Sequence, residues 1–224
     1  MAKRKKKQFA ENKLFDHVIE PSFSEILNKK HELIGKWHQE VFKNDNPIVL
    51  ELGCGKGEYS VGLGRKYPEK NFLGVDIKGN RIWRGAKTVH EEGLNNVAFL
   101  RSKVDFIDRF FAPDEVSEIW LTFSDPQPKK PRKRLTSDKY LDFYKGFLKK
   151  DGLIHLKTDN RLLFNYTLEQ IQKHKFTLHF RSFDIYHEWD SIPSEMQKQL
   201  EIKTYYEQLF MGKGFRINYL CFSM

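Results

Sequence analysis

Residues 48–57 read IVLELGCGKG, an apolar run that leads into three closely spaced glycines. The run predicts a short strand over 48–52 that is buried on both faces, as in a parallel sheet. The glycines predict a sharp turn in which a ligand can approach the main chain closely. A helix predicted from Glu58 to about Tyr67 follows directly, so this stretch predicts the first strand–turn–helix unit of an α/β fold.

The alternation of strands and helices continues along most of the chain. Further strands are predicted over 71–77, 97–101, 118–123 and 152–157, and helices over 81–92, from Ser137 to Leu148 and from about Asn160. Strands separated by helical segments favour parallel pairing and a doubly wound sheet. The late segments 176–185 and 215–222 alternate without a long helix between them and predict an antiparallel C-terminal edge.

The N-terminal region is predicted to differ from this core. Residues 14–43 carry apolar side chains such as Leu33, Ile34 and Trp37 at helical spacings, and we expect a helical lead-in there. Residues 1–13 hold six basic groups and one acid, which predicts a disordered basic arm. We therefore expect a single domain over 14–224, preceded by the arm.

The charge of the chain is concentrated in two short patches. The 224 residues carry a net charge of +9, yet residues 1–13 and 129–139 each hold six basic groups and one acid, and the rest is nearly neutral. Local cationic patches of this kind indicate a polyanionic partner, with nucleic acid as the first candidate. A solvated tail and a solvated loop are the alternative.

Composition excludes several classes of protein. The 2 cysteines lie far apart, which excludes a disulfide framework or a cysteine-rich zinc site and fits a reducing compartment, so we expect the cytoplasm. No apolar run reaches the roughly 20 residues that cross a bilayer, and we expect no membrane partner. The sequence has no metal-spaced cluster of His, Asp or Glu, so we expect no metal. A monomer is favoured because no self-complementary surface is evident.

The glycine turn indicates a ligand without a pyrophosphate. A dinucleotide site needs the spacing G-x-G-x-x-G before a helix, whereas Gly53, Gly55 and Gly57 give G-x-G-x-G. Glu58 at the helix start opposes a pyrophosphate, and Glu51 before the glycines suits a cationic group. These features disfavour a nicotinamide dehydrogenase.

Asp76 completes this predicted site at the end of the second strand. An acid in that place can accept hydrogen bonds from ribose hydroxyls. S-adenosylmethionine has a ribose, an adenine, an amino acid tail and a sulfonium cation, and it fits the set of Glu51, the glycines and Asp76. A tight turn that binds no ligand is the alternative.

Three motifs in the second half of the chain point to one family. They are SDPQPKK over 124–130, LKTDN over 156–160 and TYYE over 204–207. In this order, and over roughly residues 45 to 210, the sequence resembles the bacterial tRNA (guanine-N7-)-methyltransferase family. The resemblance implies a Rossmann-like class I methyltransferase that uses S-adenosylmethionine to methylate N7 of a guanosine in the variable loop of tRNA.

The resemblance also assigns roles to individual residues. Positions that bind the methyl donor fall on Glu51, Asp76 and Asp125, beside Gly53 and Gly55 of the turn. Positions that bind the substrate fall on Lys129, Asp159 and the stretch from Thr204 to Glu207.

The sequence departs from the family pattern in four places. Asp76 stands where the family usually has Glu, and Gln127 where it usually has Trp, which removes a stacking surface. Lys103 stands where an acid meets the adenine, with Asp105 two residues later, so no adenine contact is assigned. The basic loop after Lys129 is about two residues shorter than in the family.

The implied reaction needs alignment more than proton transfer. Guanine N7 has a free lone pair, so no strong general base is required, and close alignment with the donor lowers the barrier. Asp125 and Asp159 end two neighbouring predicted strands, face one pocket and would stabilise positive charge forming on the purine. Asp125 is the catalytic candidate. A turn acid at Asp125 and a helix cap at Asp159 are the alternatives.

The basic loop is the predicted RNA contact. Its five cations, Lys129, Lys130, Arg132, Lys133 and Arg134, can neutralise phosphates, and three prolines stiffen the loop. Tyr205 and Tyr206 could stack on bases, but we expect them in the core. Two other hypotheses stay open: a methyltransferase that acts on another RNA or on a protein, and a non-catalytic RNA-binding domain on the same fold.

Overall fold

The computed structural model describes residues 2–27 and 29–224, and this part of the chain contains one eight-stranded sheet. The strands are β1 (Val18–Ile19), β2 (Ile48–Leu52), β3 (Asn71–Asp76), β4 (Val97–Arg101), β5 (Val116–Thr122), β6 (Leu148–Thr158), β7 (Thr177–Ser182) and β8 (Asn218–Ser223). Their spatial order is β1-β4-β3-β2-β5-β6-β8-β7. The pairs from β1 to β6 are parallel, and β8 is antiparallel to both β6 and β7. The mostly parallel sheet with an antiparallel C-terminal edge is confirmed.

Helices cover both faces of this sheet. In the described residues they are α1 (Ala2–Asn12), α2 (Phe23–Ile26), α3 (Glu58–Lys66), α4 (Gly79–Glu92), α5 (Asp138–Lys145), α6 (Arg161–His174), α7 (Ser194–Leu200) and α8 (Tyr205–Met211). Buried residues of α3 and α4 pack on one face, and those of α5 and α6 pack on the other. The cover on both faces confirms the predicted doubly wound arrangement.

The central strand β2 is buried along its whole length. Ile48, Leu50 and Leu52 join the apolar cluster beneath α5 and α6, whereas Val49 joins the cluster beneath α3 and α4. A strand that is covered on both faces requires such a continuous apolar run. The parallel strands β2 to β6 end at one side of the sheet, here called the carboxyl edge, where ligands bind in open α/β folds.

The predicted helical lead-in over 14–43 is wrong for the described residues. The chain there forms β1, the single turn of α2 and a π-helix over Trp37–Phe42. The fully buried indole of Trp37 donates to the carbonyl of Phe110 at 2.7 Å. Trp37 is therefore buried by contact with a distant part of the chain, in a largely irregular segment. Asn28 lies outside the described residues.

The predicted disordered arm also differs from the structure. Residues 2–12 form α1, which packs along α4. The fully buried Asn12 donates from its amide to the carbonyl of Gly79 at 2.9 Å. Such contacts with a distant helix stabilise α1, and composition alone does not reveal them. Met1 lies outside the described residues.

One predicted helix ends three residues earlier than expected, because the residues that follow it pair in the sheet. The helix expected to reach Leu148 ends at Lys145, because Leu148 begins β6 and pairs with Val116. Ser137 precedes α5, but its hydroxyl donates to the carbonyl of Arg132 at 3.0 Å instead of capping the helix. Across residues 2–27 and 29–224, no helix is long and apolar enough to cross a membrane.

Candidate active site at the carboxyl edge

A cavity of about 880 Å³ opens at the carboxyl edge of the sheet. Five of the predicted site residues line it: Gly53, Asp76, Asp125, Lys133 and Asp159. A smaller cavity of about 100 Å³ shares Gly53 with it and is lined by three more, Glu51, Gly55 and Thr204. The fold therefore brings residues from positions 51 to 204 to one place.

The glycine turn after β2 presents its main chain to these cavities. Gly53 and Gly55 have positive φ angles of 83° and 58°, and a Cβ atom added at either would meet nothing within 4 Å. Gly57 also has a positive φ, but a Cβ there would lie 2.5 Å from the ring of Phe99. Gly53 and Gly55 thus leave room for a ligand, whereas Gly57 lets α3 pack closely against β4.

Asp76 lies at the end of β3, directly beside the glycine turn. One carboxylate oxygen accepts the amide of Gly55 at 3.0 Å, and the other accepts the amide of Lys78 at 2.8 Å. Each oxygen keeps a second lone pair for a ligand hydroxyl. The shorter acid therefore holds the geometry expected of a ribose contact, and it fixes the glycine turn as well.

Glu51 is buried near the end of β2 and is held by three donors. The amide and hydroxyl of Ser60 donate to one carboxylate oxygen at 2.9 and 2.5 Å, and the hydroxyl of Thr122 donates to the other at 2.5 Å. Burial raises the pKa of Glu51 to about 7, against the effect of these hydrogen bonds. A cationic ligand group in the small cavity would favour its ionised form.

Glu58 has a structural role that the sequence does not indicate. It lies in the first turn of α3, and its carboxylate accepts the amide of Tyr205 at 2.9 Å. This bond ties the start of α3 to the start of α8 across the small cavity, whose wall contains both residues.

Asp125 and Asp159 both line the main cavity. Asp125 is exposed, and one of its oxygens accepts the amide of Gln127 at 2.9 Å, within a turn where Gln127 has a φ of 44°. Asp159 is half-buried, and burial raises its pKa above the usual value. The helix-capping role falls to Asn160, whose side chain accepts the amide of Leu163 at 3.0 Å. In the described structure, the carboxylate of Asp159 has no side-chain hydrogen-bond partner.

The basic loop divides into exposed and buried cations. Lys129, Lys130, Arg132 and Lys133 are exposed, and they line a neighbouring groove of about 700 Å³. Lys133 also reaches the main cavity, whereas Lys129 does not line it. Arg134 differs from the prediction: it is buried, donates to the carbonyl of Pro126 at 2.9 Å, and lies 4.4 Å from the ring centre of Tyr166. It braces the loop and presents no free cation to a phosphate.

Thr204 and Glu207 form the N-terminal capping box of α8. The amide of Glu207 donates to the Thr204 hydroxyl at 3.1 Å, and the amide of Thr204 donates to the Glu207 carboxylate at 3.3 Å. Glu207 is fully buried, paired with Lys157 at 2.8 Å and hydrogen-bonded to the hydroxyl of Tyr186 at 2.6 Å. Glu207 lines neither cavity, although Thr204, to which it is hydrogen-bonded, lines the smaller one.

The expectation that Tyr205 and Tyr206 lie in the core is wrong. Their exposed fractions are 53% and 42%, and the ammonium of Lys56 lies 4.4 Å from the ring centre of Tyr205. Tyr206 lines both cavities, and Phe210, one turn later on α8, lines the larger one. Their spacing of four residues on a short helix is the signal that would have grouped them on one face.

Two further pairs of residues lie near the cavity: the sequence analysis assigned no role to the first pair and did not identify the second. Lys103 and Asp105 both line the cavity, but Asp105 is paired with Lys139 and accepts the hydroxyl of Tyr140 at 3.2 Å. Ser60 and Thr122, which position Glu51, carry no motif of their own.

Within the described ranges, no group of three or more His, Cys, Asp or Glu could hold a metal ion.

Comparisons with known proteins agree with this geometry. A family described as "Putative methyltransferase" matches residues 45–219. A tRNA (guanine-N(7)-)-methyltransferase of Bacteroides thetaiotaomicron is 50% identical over 224 residues, covering 100% of this chain and 87% of that protein. A protein of the same name from Christiangramia forsetii is 48% identical over 225 residues, covering 100% of this chain and 99% of the relative.

Solved structures support the fold. The 16S rRNA methyltransferase KamB aligns with a TM-score of 0.62 at 12% identity, covering 83% of this chain and 91% of that one. An antibiotic-related methyltransferase also aligns with a TM-score of 0.62, at 13% identity, covering 88% of this chain and 96% of the other. At these identities the likeness concerns the fold alone, and it agrees with the predicted class I methyltransferase architecture.

Proposed function

The chain belongs to the tRNA (guanine-N(7)-)-methyltransferase family, and we propose that it transfers the methyl group of S-adenosylmethionine to N7 of a guanosine in the variable loop of tRNA. One structural observation supports the proposal most directly. Gly53 and Asp76, which suit the donor, line the same cavity as Asp125 and Asp159, which suit a purine. The names of the relatives supply the substrate class.

The residues present fit the donor. The open main chain at Gly53 and Gly55 leaves space for a ligand that a Cβ atom would occupy. The unused lone pairs of Asp76 suit a ribose diol, and the buried carboxylate of Glu51 suits the ammonium of an amino acid tail. When bound, S-adenosylmethionine supplies an electrophilic methyl group on a sulfonium centre.

The acceptor side of the cavity orients the base and stabilises charge. The carboxylates of Asp125 and Asp159 can accept hydrogen bonds from guanine N1–H and the exocyclic amine, which distinguishes guanine from adenine. Positive charge develops on the purine as N7 forms its new bond, and fixed carboxylates nearby stabilise it. N7 carries a free lone pair, so none of these side chains has to remove a proton from it.

Predictions of location and oligomeric state accompany this proposal. A protein with this substrate would work in the cytoplasm, and we retain the monomer as the expected state. A methyltransferase acting on another RNA or on a protein, and a non-catalytic RNA-binding domain, remain the competing assignments. The intact set of Glu51, Asp76, Asp125 and Asp159 at strand ends argues against a non-catalytic domain.

The test combines purified protein, S-adenosylmethionine labelled in its methyl group and an unmodified tRNA transcript. The RNA is digested and the labelled nucleoside identified. We expect label in 7-methylguanosine, and none when the target guanosine of the variable loop is replaced by adenosine. Label in a different nucleoside, or none while the donor binds tightly, would contradict the proposal and move the substrate to another molecule.

A further inference from the structure

The N-terminal half of α1 carries a strongly cationic, exposed segment, here called the cationic segment. Its residues Arg4, Lys5, Lys6 and Lys7 follow one another and are all exposed. Lys7 lies 3.7 Å from Glu11 one turn later, and no acidic side chain of the described residues pairs with the other three. Like charges close together repel one another and lower the stability of a helix. An anionic partner on the cationic segment would remove that cost.

The C-terminal half of α1 is docked on the body of the protein. The ring of Phe9 packs against Gly79, where an added Cβ would lie 2.6 Å from it, and the guanidinium of Arg101 lies 4.7 Å from the ring centre. The buried Asn12 donates to the carbonyl of Gly79, and the indole of Trp83 donates to Glu11. Because Phe9, the large apolar side chain of α1, is docked in this way, the described side chains of the helix offer no apolar surface for insertion into a lipid.

The docked half of α1 lies at the carboxyl edge of the sheet. Phe9 and Asn12 both contact Gly79, the first residue of α4, and the guanidinium beside the Phe9 ring belongs to Arg101, the last residue of β4. The start of α4 and the end of β4 both lie at this edge. The cationic segment directly precedes the docked half on the same helix, so its residues lie within about two helical turns of the carboxyl edge.

Further cationic residues lie between the cationic segment of α1 and the cavity. Lys78, just before α4, lines the cavity together with Arg81 and Lys103. The exposed cations of the basic loop follow β5, on the other side of the central strand β2 from β3 and β4. Cationic surfaces thus flank the cavity on two sides, as expected for a protein that holds an RNA larger than the reacting nucleotide.

We propose that the cationic segment of α1, with Arg4, Lys5, Lys6 and Lys7, is a contact for backbone phosphates of the same tRNA whose guanosine enters the cavity, and that the docked C-terminal half of the helix holds it in place. This inference rests on the proposed function. The contact positions the body of the tRNA and carries no base specificity, because lysine and arginine bind phosphates without reading the base sequence. Docking on α4 holds the cations in place before the RNA arrives, which reduces the ordering cost of binding.

The experiment measures tRNA affinity at several salt concentrations. In a triple variant, Arg4→Gln, Lys5→Gln and Lys6→Gln remove three cations and leave Phe9 and Asn12 in place. We expect the slope of log Kd against log salt to fall by about two to three units, since each lost phosphate contact removes close to one.

A matched control removes three exposed cations from the opposite edge of the sheet, through Lys149→Gln, Lys150→Gln and Lys175→Gln. It lowers the net charge equally, and we expect its salt slope to stay near that of the wild type. A further variant, Phe9→Ala, keeps all the cations but weakens docking. It should raise Kd while leaving the slope close to the wild-type value.

The two proposals fail in different ways. If the wild type forms 7-methylguanosine and the triple variant keeps the wild-type slope, or if the control loses as much slope as the triple variant, the α1 contact is overturned while the proposed function stands. An unchanged Kd for Phe9→Ala would overturn the docked form of the contact. If the wild type forms no 7-methylguanosine on tRNA, the proposed function fails, and the α1 inference fails with it.

Discussion

The cavity has two halves that are built by different means. The half that we propose for the donor, called the donor half, consists of the glycine turn and Asp76, and hydrogen bonds of the main chain hold it: the amides of Gly53 and Cys54 both donate to the carbonyl of Val75, at 2.8 and 3.0 Å. The acceptor half consists of Asp125, Asp159 and the α8 residue Tyr206. Its shape depends on side chains that meet across long stretches of sequence.

The clearest example on the acceptor side is a buried lysine. Lys157, the residue before the last of β6, is fully buried and donates to the carbonyls of Leu200 and Ile202 at 2.8 and 3.0 Å. It also pairs with Glu207 at 2.8 Å. These bonds attach α8, and with it Tyr206, to the end of the sheet. The donor half is thus encoded by two short stretches at the ends of neighbouring strands, whereas the acceptor half requires contacts between more distant parts of the chain.

The largest expected effect comes from removing the contacts of Lys157 with Leu200, Ile202 and Glu207, here called the lysine clamp. Lys157→Met should lower the free energy of unfolding by about 3–5 kcal/mol, because it leaves the Glu207 carboxylate buried without a cation. Denaturant unfolding of the wild type and the variant measures the difference. The double variant Lys157→Met with Glu207→Gln serves as the control and should recover part of the loss. A loss below about 1 kcal/mol in the single variant would mean that the clamp does not hold α8.

Removing the carboxylate of Asp125 tests the chemistry of the acceptor half. Asp125→Ala should lower turnover by about 100-fold or more, because a fixed charge that stabilises the transition state is lost. The affinity for tRNA should persist, since the basic loop and α1 are unchanged. Single-turnover rates and Kd values measure the two effects, with the exposed Asp142→Ala on α5 as control. Wild-type turnover in Asp125→Ala would remove Asp125 from the mechanism.

The pH dependence of donor affinity tests Glu51 in the donor half. Its pKa is raised to about 7, so below that pH the free protein carries a neutral carboxyl group. A cationic ligand binds the ionised form, and affinity for S-adenosylmethionine should fall by about tenfold per pH unit as the pH decreases below 7. Calorimetry at several pH values measures this trend, and Glu51→Gln should flatten it. A pH-independent Kd in the wild type would contradict the predicted contact.

The same raised pKa has a consequence for the free protein. The folded state holds the Glu51 proton more tightly than the unfolded state, in which the pKa stays near the usual 4.5. Stability is therefore expected to decrease as the pH rises from about 4.5 to about 7, because the carboxyl must then ionise in a buried place. Unfolding measured over this range should show a weaker decrease in Glu51→Gln.

The roles of two glycines in the donor half, Gly55 and Gly57, can be distinguished by experiment. Gly57→Ala should lower the free energy of unfolding by about 1–3 kcal/mol or more, because its Cβ would clash with Phe99 and its φ is positive. Gly55→Ala has only the positive φ to overcome, so its stability should fall by about 1 kcal/mol. Its larger effect should be on donor affinity, because the new methyl group fills ligand space. Equal stability losses in both variants would contradict this division.

The sequence could predict the sheet because the strands depend on local patterns: apolar runs between turn residues indicated β2 to β6. The glycine spacing with Asp76 also predicted that these residues meet, and the structure brings them together at the carboxyl edge. The burial of Arg134 and Glu207 could not be predicted, since each is held by partners such as Tyr166 and Lys157 that only the fold brings near. The helical form of α1 was missed for the same reason: its composition favours disorder, and docking on α4 outweighs it.

The smallest expected effect compares two cations of the basic loop. Lys130 is exposed, whereas Arg134 is buried and braces the loop through Pro126 and Tyr166. Lys130→Gln should lower the slope of log Kd for tRNA against log salt by about one unit and leave stability unchanged, because it removes one phosphate contact. Arg134→Gln should instead lower the free energy of unfolding by about 1–2 kcal/mol through its lost hydrogen bond and ring contact. Salt titrations and denaturant unfolding of both variants distinguish the roles, and a flattened slope with full stability in Arg134→Gln would show that this arginine reaches the RNA after all.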